Sequence, residues 1–228
     1  MRVILCAVEQ LTFKRARTEA NKRQRAAALT EAARSLALEM GVAAVTLTAV
    51  AERAGVHHSA VRRYFASHKD ILLRLAAEGW ARWSSSVCTA LSAPGPMPAS
   101  RVAETLVNGL VEDPLFCDLL ACLPSYLEHD MKPEQVVEFK RACYPEIEAI
   151  TDALERVLPA LGRQGSADVL AAATALAGGF WQATHPPPQL VAAYTEGPVP
   201  PPEWTIEFQP TLTRILAATC AGLSAHSE

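Results

Sequence analysis

The sequence predicts an all-α protein with a small basic N-terminal domain and a larger acidic helical domain. Half of the 228 residues are apolar and alanine is abundant, which favours helices. The sequence lacks the long alternating Val, Ile and Thr runs that indicate strands. Residues 11–75 hold 12 Lys and Arg against 5 Asp and Glu, whereas residues 76–228 hold 8 against 18. This asymmetry indicates that the first part binds a polyanion and the second does not.

A first helix is predicted to end at Met40, after an N-terminal arm, residues 1–16, that we expect to be flexible. Its apolar side chains recur at helical spacing and are Leu29, Ala33, Leu36 and Met40. Gly41 predicts the end of this helix. Thr46 predicts the N-cap of a second helix, and Gly55 ends that helix and opens a turn.

A short third helix is predicted from about His58 to Phe65, with Val61 and Phe65 facing inward. Ser67 then predicts the cap of a fourth helix over 68–91. Two compact helices joined by a glycine turn are the helix-turn-helix pattern. We therefore expect residues 17–67 to form a three-helix, homeodomain-like helix-turn-helix domain and residues 68–228 to form a helical domain for effector binding and dimerisation.

The remainder of the chain predicts five further helices after a loop that is rich in Pro and Gly at 91–100. They are expected near 101–111, 115–122, 133–158, 166–185 and 206–223. Pro145 predicts a kink or a split in the helix that contains it. The many prolines of residues 185–204 predict a long surface loop.

The outer face of the third helix has the chemistry of a DNA-reading helix. Ser59 and His58 can hydrogen-bond to base edges, and Ala60 leaves room for a thymine methyl group. Arginine contacts phosphate or pairs with guanine, and helix N-termini offer N–H groups to phosphates. The predicted DNA-binding residues are Thr46, His57, His58, Ser59, Ala60, Arg62, Arg63, Tyr64, His68 and Lys69. The alternative interpretation is a solvated basic helix face.

Residues 17–75, RTEANKRQRAAALTEAARSLALEMGVAAVTLTAVAERAGVHHSAVRRYFASHKDILLRL, resemble the DNA-binding domain of the TetR family of bacterial transcriptional regulators. The positions that carry the resemblance are Gly41, Thr46, Ala51, Ala54, Gly55, Val56, Phe65, Ser67, Ile71 and Leu72. Three positions depart from the family pattern. Arg62 replaces a phosphate-contacting Tyr, Arg63 replaces a frequent aromatic residue or His, and His68 replaces the Lys that follows Ser67.

The resemblance implies a homodimer that represses transcription at a palindromic operator in double-stranded DNA and is released by a small-molecule effector. We expect a lipophilic or amphipathic effector. Candidate pocket residues are Leu106, Leu110, Phe116, Leu120, Leu123, Tyr126, Phe139, Tyr144, Ile147, Thr174 and Phe180. Small or apolar residues expected at a four-helix dimer interface are Ala171, Ala175, Gly178, Gly179, Leu212 and Leu216. The alternative is that 169–181 is core within one chain.

Other functions find less support in the sequence. The chain lacks a nucleophile motif, a P-loop and paired catalytic carboxylates, which disfavours an enzyme. We expect no cofactor and no metal, because the adjacent side chains of His57 and His58 diverge by about 100° on a helix. No apolar stretch reaches the ~20 residues of a membrane span, so we expect a cytoplasmic protein. Two alternatives remain open, a constitutive DNA-binding regulator and a redox sensor that uses Cys117, Cys122 or Cys143.

Overall fold

The computed structural model describes residues 2–123, 127, 131–186, 191 and 206–225, with side chains from Ala20 onward. Most of these residues are helical and none of them lies in a strand, as the composition predicts. The helices are α1 (Arg2–Met40), α2 (Leu47–Arg53), α3 (His58–Val61), α4 (His68–Ala90), α5 (Ala99–Val111), α6 (Pro114–Cys122), α7 (Pro133–Val157), α8 (Gly162–Thr184) and α9 (Phe208–Ala225). None of these described helices is both long enough and apolar enough to cross a membrane.

The chain divides into two compact units, residues 1–71 and 72–228. In the first unit, α2 contacts α1 and α3. Its core contains Leu29, Ala33 and Leu36 of α1 together with Val61 and Phe65, and Val50 of α2 is fully buried. In the second unit, α8 contacts α6, α7 and α9, and α9 also packs against α5.

The first helix ends at Met40, as predicted, but begins earlier than predicted. It begins at Arg2, so residues 2–16, which were expected to be a flexible arm, are helical. The reason is that no Gly or Pro interrupts the chain before Gly41, and Ala, Glu, Gln, Lys and Arg favour helix. At the other end Met40 is 66% exposed, because the chain turns away at Gly41, whose φ of 84° suits glycine. Met40 therefore does not continue the apolar stripe.

The other predicted helices are confirmed with shifted ends. The third helix is shorter than expected, since α3 ends at Val61 and a turn carries the chain to Phe65. The helix α7 continues through Pro145 without a split. In α4 one face, formed by Leu72, Ala76, Gly79 and Trp83, is buried. Most of the predicted loop over 185–204 lies outside the described residues.

Candidate DNA-binding interface

A small apolar contact set anchors α3 in the first unit. Val61 is fully buried and Phe65 is 6% exposed. Gly55 opens the preceding turn with a φ of 66°, a conformation that glycine adopts without steric cost. The N–H of Val56 closes this turn by donating to the carbonyl of Ala51 at 2.9 Å. The backbone of the helix-turn-helix thus presents the opposite face of α3 to solvent.

The side chain of His57 caps the N-terminus of α3. Its Nδ1 atom accepts a hydrogen bond from the backbone N–H of Ser59 at 3.3 Å and lies 2.9 Å from the Ser59 hydroxyl. The ring centroid of His58 is 4.4 Å from that of His57. The sequence pattern predicts His57 only as a DNA contact, although its position immediately before the helix also suits this capping role.

The solvent face of α3 and the turn after it is polar and cationic. Ser59, Arg62 and Arg63 are exposed, as predicted, while Ala60 and Tyr64 are half-buried. Arg62 and Arg63 form no ion pair with a carboxylate of the described residues. In the same unit Arg53 instead donates hydrogen bonds of 2.7 and 2.6 Å to the two carboxylate oxygens of Glu39. The two arginines beside α3 therefore retain their charge for an external anion.

Two helix N-termini in this unit are capped as predicted. The hydroxyl of Thr46 accepts a hydrogen bond from the N–H of Ala49 at 3.1 Å. At α4 the N–H of Asp70 donates to the Ser67 hydroxyl at 3.2 Å, and the N–H of Ser67 donates to the Asp70 carboxylate at 2.9 Å. These reciprocal bonds form a capping box and hold the N-terminus of α4 in place.

Histidine at the start of α4 changes the charge available there. Burial lowers the pKa of His68, the charge of Lys69 lowers it further, and Asp70 acts in the opposite direction. The lowered pKa favours the uncharged imidazole of His68. Lys69 is then the cation at this helix N-terminus, one position later than the lysine of the family pattern.

Each of the two units matches a known protein-family model. Residues 29–75 match the family model described as bacterial regulatory proteins, tetR family. Residues 77–227, more than half of the chain, match the Tetracyclin repressor-like C-terminal domain. The chain belongs to the TetR family. It is a DNA-binding regulator of transcription, and α3 is the second helix of its helix-turn-helix.

Solved structures share this TetR fold at low sequence identity. The fatty acid degradation regulator FadR from Bacillus halodurans matches with a TM-score of 0.54 and 13% identity, over 88% of this chain and 95% of its own. A protein from Mesorhizobium loti has a TM-score of 0.51 and 13% identity over 90% of this chain and 96% of its own. A protein from Pseudomonas aeruginosa PAO1 has a TM-score of 0.50 and 16% identity, over 90% of this chain and 92% of its own. A search of curated proteins by sequence found no significant match.

The second unit of this TetR-family chain corrects part of the predicted pocket. Leu106, Leu110 and Phe116 expose no surface, so none of them lines a cavity that could hold even a water molecule. They form closed core, where the indole N–H of Trp83 donates to the Leu106 carbonyl at 3.0 Å. The other candidates keep some exposure and are Leu120, Leu123, Phe139, Tyr144, Ile147, Thr174 and Phe180. Tyr126 lies outside the described residues.

Tyr144 is the candidate whose side chain is most open to solvent, with 58% exposed. It lies in a surface groove of about 560 Å³ along α7. Val136, Val137, Lys140 and Pro145 also line this groove. The hydroxyl of Thr174 is occupied within α8, because it donates to the carbonyls of Leu170 and Ala171, each at 3.1 Å.

The predicted dimer residues separate into two groups. Leu212 and Leu216 of α9 are fully buried within their own chain and cannot contact a partner. Gly178 is buried as well, because α8 lies close to the backbone of α6 there. In contrast, Ala171, Ala175 and Gly179 are exposed on α8. One face of α8 is therefore core within the chain, whereas another face is exposed.

The environment of two of the three candidate cysteines, Cys117 and Cys122, argues against the redox alternative. Burial raises the pKa of Cys117 to about 12, and the carboxylates of Asp113 and Asp118 add to this effect. Its thiol donates to the Leu110 carbonyl at 3.3 Å. Burial also raises the pKa of Cys122. Because the thiolate is the reactive form, these two thiols are poorly suited to sense oxidants.

Proposed function

We propose that this regulator is a dimeric repressor that binds a palindromic operator and is released from it by a small-molecule effector. The observation that carries the DNA-binding part is the solvent face of α3, where Ser59, Arg62 and Arg63 are exposed beside a histidine cap. One short recognition helix makes few base contacts. A two-fold dimer with half-sites about 34–36 Å apart supplies the remaining affinity and specificity.

A face of small residues on α8 and α9 supports the proposed dimer. Ala171, Ala175 and Gly179 recur at every fourth position of α8 and are exposed. The neighbouring helix α9 exposes Ala218, Ala221 and Ala225. Since α8 and α9 pack against each other, their outer faces together provide two of the four helices of an isologous interface. Small side chains permit the close helix approach that such an interface requires.

The dimer is tested by one substitution on this face and a matched substitution elsewhere. Ala175→Glu places a charge at the proposed interface and is expected to raise the dimer dissociation constant at least tenfold in sedimentation experiments. Ala142→Glu adds the same charge to an exposed position of α7 and is expected to leave it unchanged. Two results contradict the proposed dimer. One is that the wild-type protein is monomeric at micromolar concentration, and the other is that both variants have equal dissociation constants.

Selection of duplexes from a random pool tests the operator. Enrichment of a pseudo-palindrome is expected, with loss of affinity when the half-site spacing is changed by several base pairs, because a rigid dimer matches one spacing. Arg62→Ala is expected to relax the preference at the base pair it contacts, at a cost of about 1–3 kcal/mol in discrimination. Enrichment of a single asymmetric site contradicts the palindromic operator.

Effector release is proposed to be a population shift between two states of the dimer. The boundary between the two units falls within α4, between Ile71 and Leu72, so a ligand that favours a different α4 orientation would change the separation of the recognition helices. Effector and operator must then weaken each other's binding by the same factor. Titration of each in the presence of the other tests this. Equal affinities throughout favour the alternative of a constitutive regulator.

The proposed chemistry of the effector rests on the candidate pocket residues that are not part of the closed core. Leu120, Leu123 and Phe139 are apolar and keep a small exposed fraction of 6–8%, which supports a lipophilic or amphipathic molecule. A neighbour in fold is described as a regulator of fatty acid degradation. A thermal-shift screen that includes fatty acids and neutral lipophilic compounds tests this chemistry. We also propose that the protein acts in the cytoplasm, where bacterial DNA is found.

A further inference from the structure

The first unit contains a cleft beside the recognition helix that sequence analysis did not assign. Its volume is about 300 Å³, and it is lined by Asn21, Lys22 and Arg25 of α1 together with Arg63 and Tyr64 from the turn after α3. The two groups of residues are about 40 positions apart in the sequence. Only the packing of the helical unit brings them to one place.

The charges that line this cleft are of one sign. Lys22, Arg25 and Arg63 are exposed cations, and no carboxylate is among the described residues that line it. These three cations form no ion pair with a carboxylate of the described residues. Asn21 and Tyr64 add neutral hydrogen-bond donors. Three unneutralised cations in one concave site indicate an anion-binding site.

We infer that this cleft binds a phosphate of the operator backbone and thereby sets the position of α3 in the major groove. This inference rests on the proposed operator binding. Phosphate contacts position a protein on the duplex, whereas base contacts specify the sequence. Arg63 and Tyr64 follow α3 directly, so an anion held by them and by α1 lies next to the recognition helix. Lys22 and Arg25 thus belong to the DNA-binding surface, although the individually predicted DNA-binding residues begin only at Thr46.

The salt dependence of binding distinguishes a backbone contact from a base contact. Lys22→Gln together with Arg25→Gln is expected to weaken binding by about tenfold or more at 0.1 M salt and to reduce the slope of log affinity against log salt by about 0.9, the value of one phosphate contact. Operator and random duplexes are expected to lose affinity by similar factors, because phosphates carry no sequence information. Tyr64→Phe, which removes only a hydroxyl, is expected to weaken binding without changing the slope.

Arg23→Gln is the matched control. Arg23 is exposed on the same helix, next to Lys22, but does not line the cleft. Its loss is expected to leave the slope within about 0.3 of the unchanged protein, well below the ~0.9 of one phosphate contact. Circular dichroism checks that all variants remain helical.

Three outcomes overturn the inference. If the wild-type protein binds the operator and the double variant has the same salt slope, the phosphate contact is overturned. The proposed function then stays intact. If the salt slope falls equally in the Arg23→Gln control and in the Lys22→Gln, Arg25→Gln double variant, the inference of a localised site is overturned. Competition by inorganic phosphate beyond that of chloride at equal ionic strength, if lost in the double variant, supports the inference instead, because free phosphate then displaces the operator phosphate from the cleft. Failure of the unchanged protein to bind any duplex overturns the proposed function as well.

Discussion

Gly178 of α8 lies directly against the backbone of Ala121 of α6. A Cβ atom on Gly178 would come within 2.8 Å of the Ala121 nitrogen and 2.9 Å of its Cα atom. At Gly179, one position later, an added Cβ would meet nothing of its own chain within 4 Å. Two adjacent glycines on one helix therefore have different roles, and only the first is required for packing within the chain.

Gly178→Ala is expected to destabilise the protein by about 1–3 kcal/mol, because the backbone of α6 must move to admit the methyl group. Gly179→Ala is the control. It is expected to leave the free energy of unfolding unchanged or to raise it by up to about 1 kcal/mol through helix propensity. Urea denaturation at one fixed protein concentration measures both. Equal stabilities would show that α6 and α8 are not in close contact.

His57→Ala is expected to lower the stability of the helix-turn-helix by about 1 kcal/mol, because the N–H of Ser59 loses its side-chain acceptor. His57→Asn supplies another capping oxygen and is expected to recover most of that loss. Hydrogen exchange of the amides of α3 reports the local effect. If His57→Asn and His57→Ala exchange equally fast, His57 does not act as a cap.

Trp83→Phe is expected to cost about 1–3 kcal/mol in unfolding free energy, because it removes a buried hydrogen bond to the Leu106 carbonyl and leaves unfilled volume. Trp83 is only 1% exposed. The comparison variant is Trp181→Phe, at a half-buried position where the indole stacks on His185 with centroids 3.7 Å apart. A smaller loss is expected there. Chemical denaturation measures both losses. A larger loss of unfolding free energy in Trp181→Phe than in Trp83→Phe would contradict the structural role given to Trp83.

Cys117 is expected to resist alkylation in the folded protein. With its pKa raised to about 12, roughly one thiol in 10⁴ is ionised at pH 8, and burial limits access further. Cys88 is partly exposed and is expected to react first with iodoacetamide, as followed by mass spectrometry. Both thiols should react in denaturant. Rapid labelling of Cys117 without unfolding, or DNA affinity that responds to peroxide only when Cys117 is present, would restore the redox alternative.

Local features of this protein were determined by the sequence itself. The caps at Thr46 and Ser67, the inward positions of Val61 and Phe65, and the turn at Gly55 all follow from interactions within about four residues along the chain. The spacing of such residues is sufficient to predict a helix-turn-helix and the polar face of its recognition helix. The helical content of the C-terminal region is likewise predictable from periodicity and from the positions of Pro and Gly.

Only the tertiary structure decided whether a given helix face packs against its own chain or stays exposed. Periodicity marks Leu212, Leu216 and Gly178 as members of apolar or small-residue faces, but it does not say whether a helix of the same chain or of a partner covers them. The packing of α5, α6 and α8 with their neighbours placed these three residues inside the chain. In the same way, the cleft between Arg25 and Arg63 exists only after folding, because contacts between distant segments depend on the whole arrangement of helices and not on local spacing.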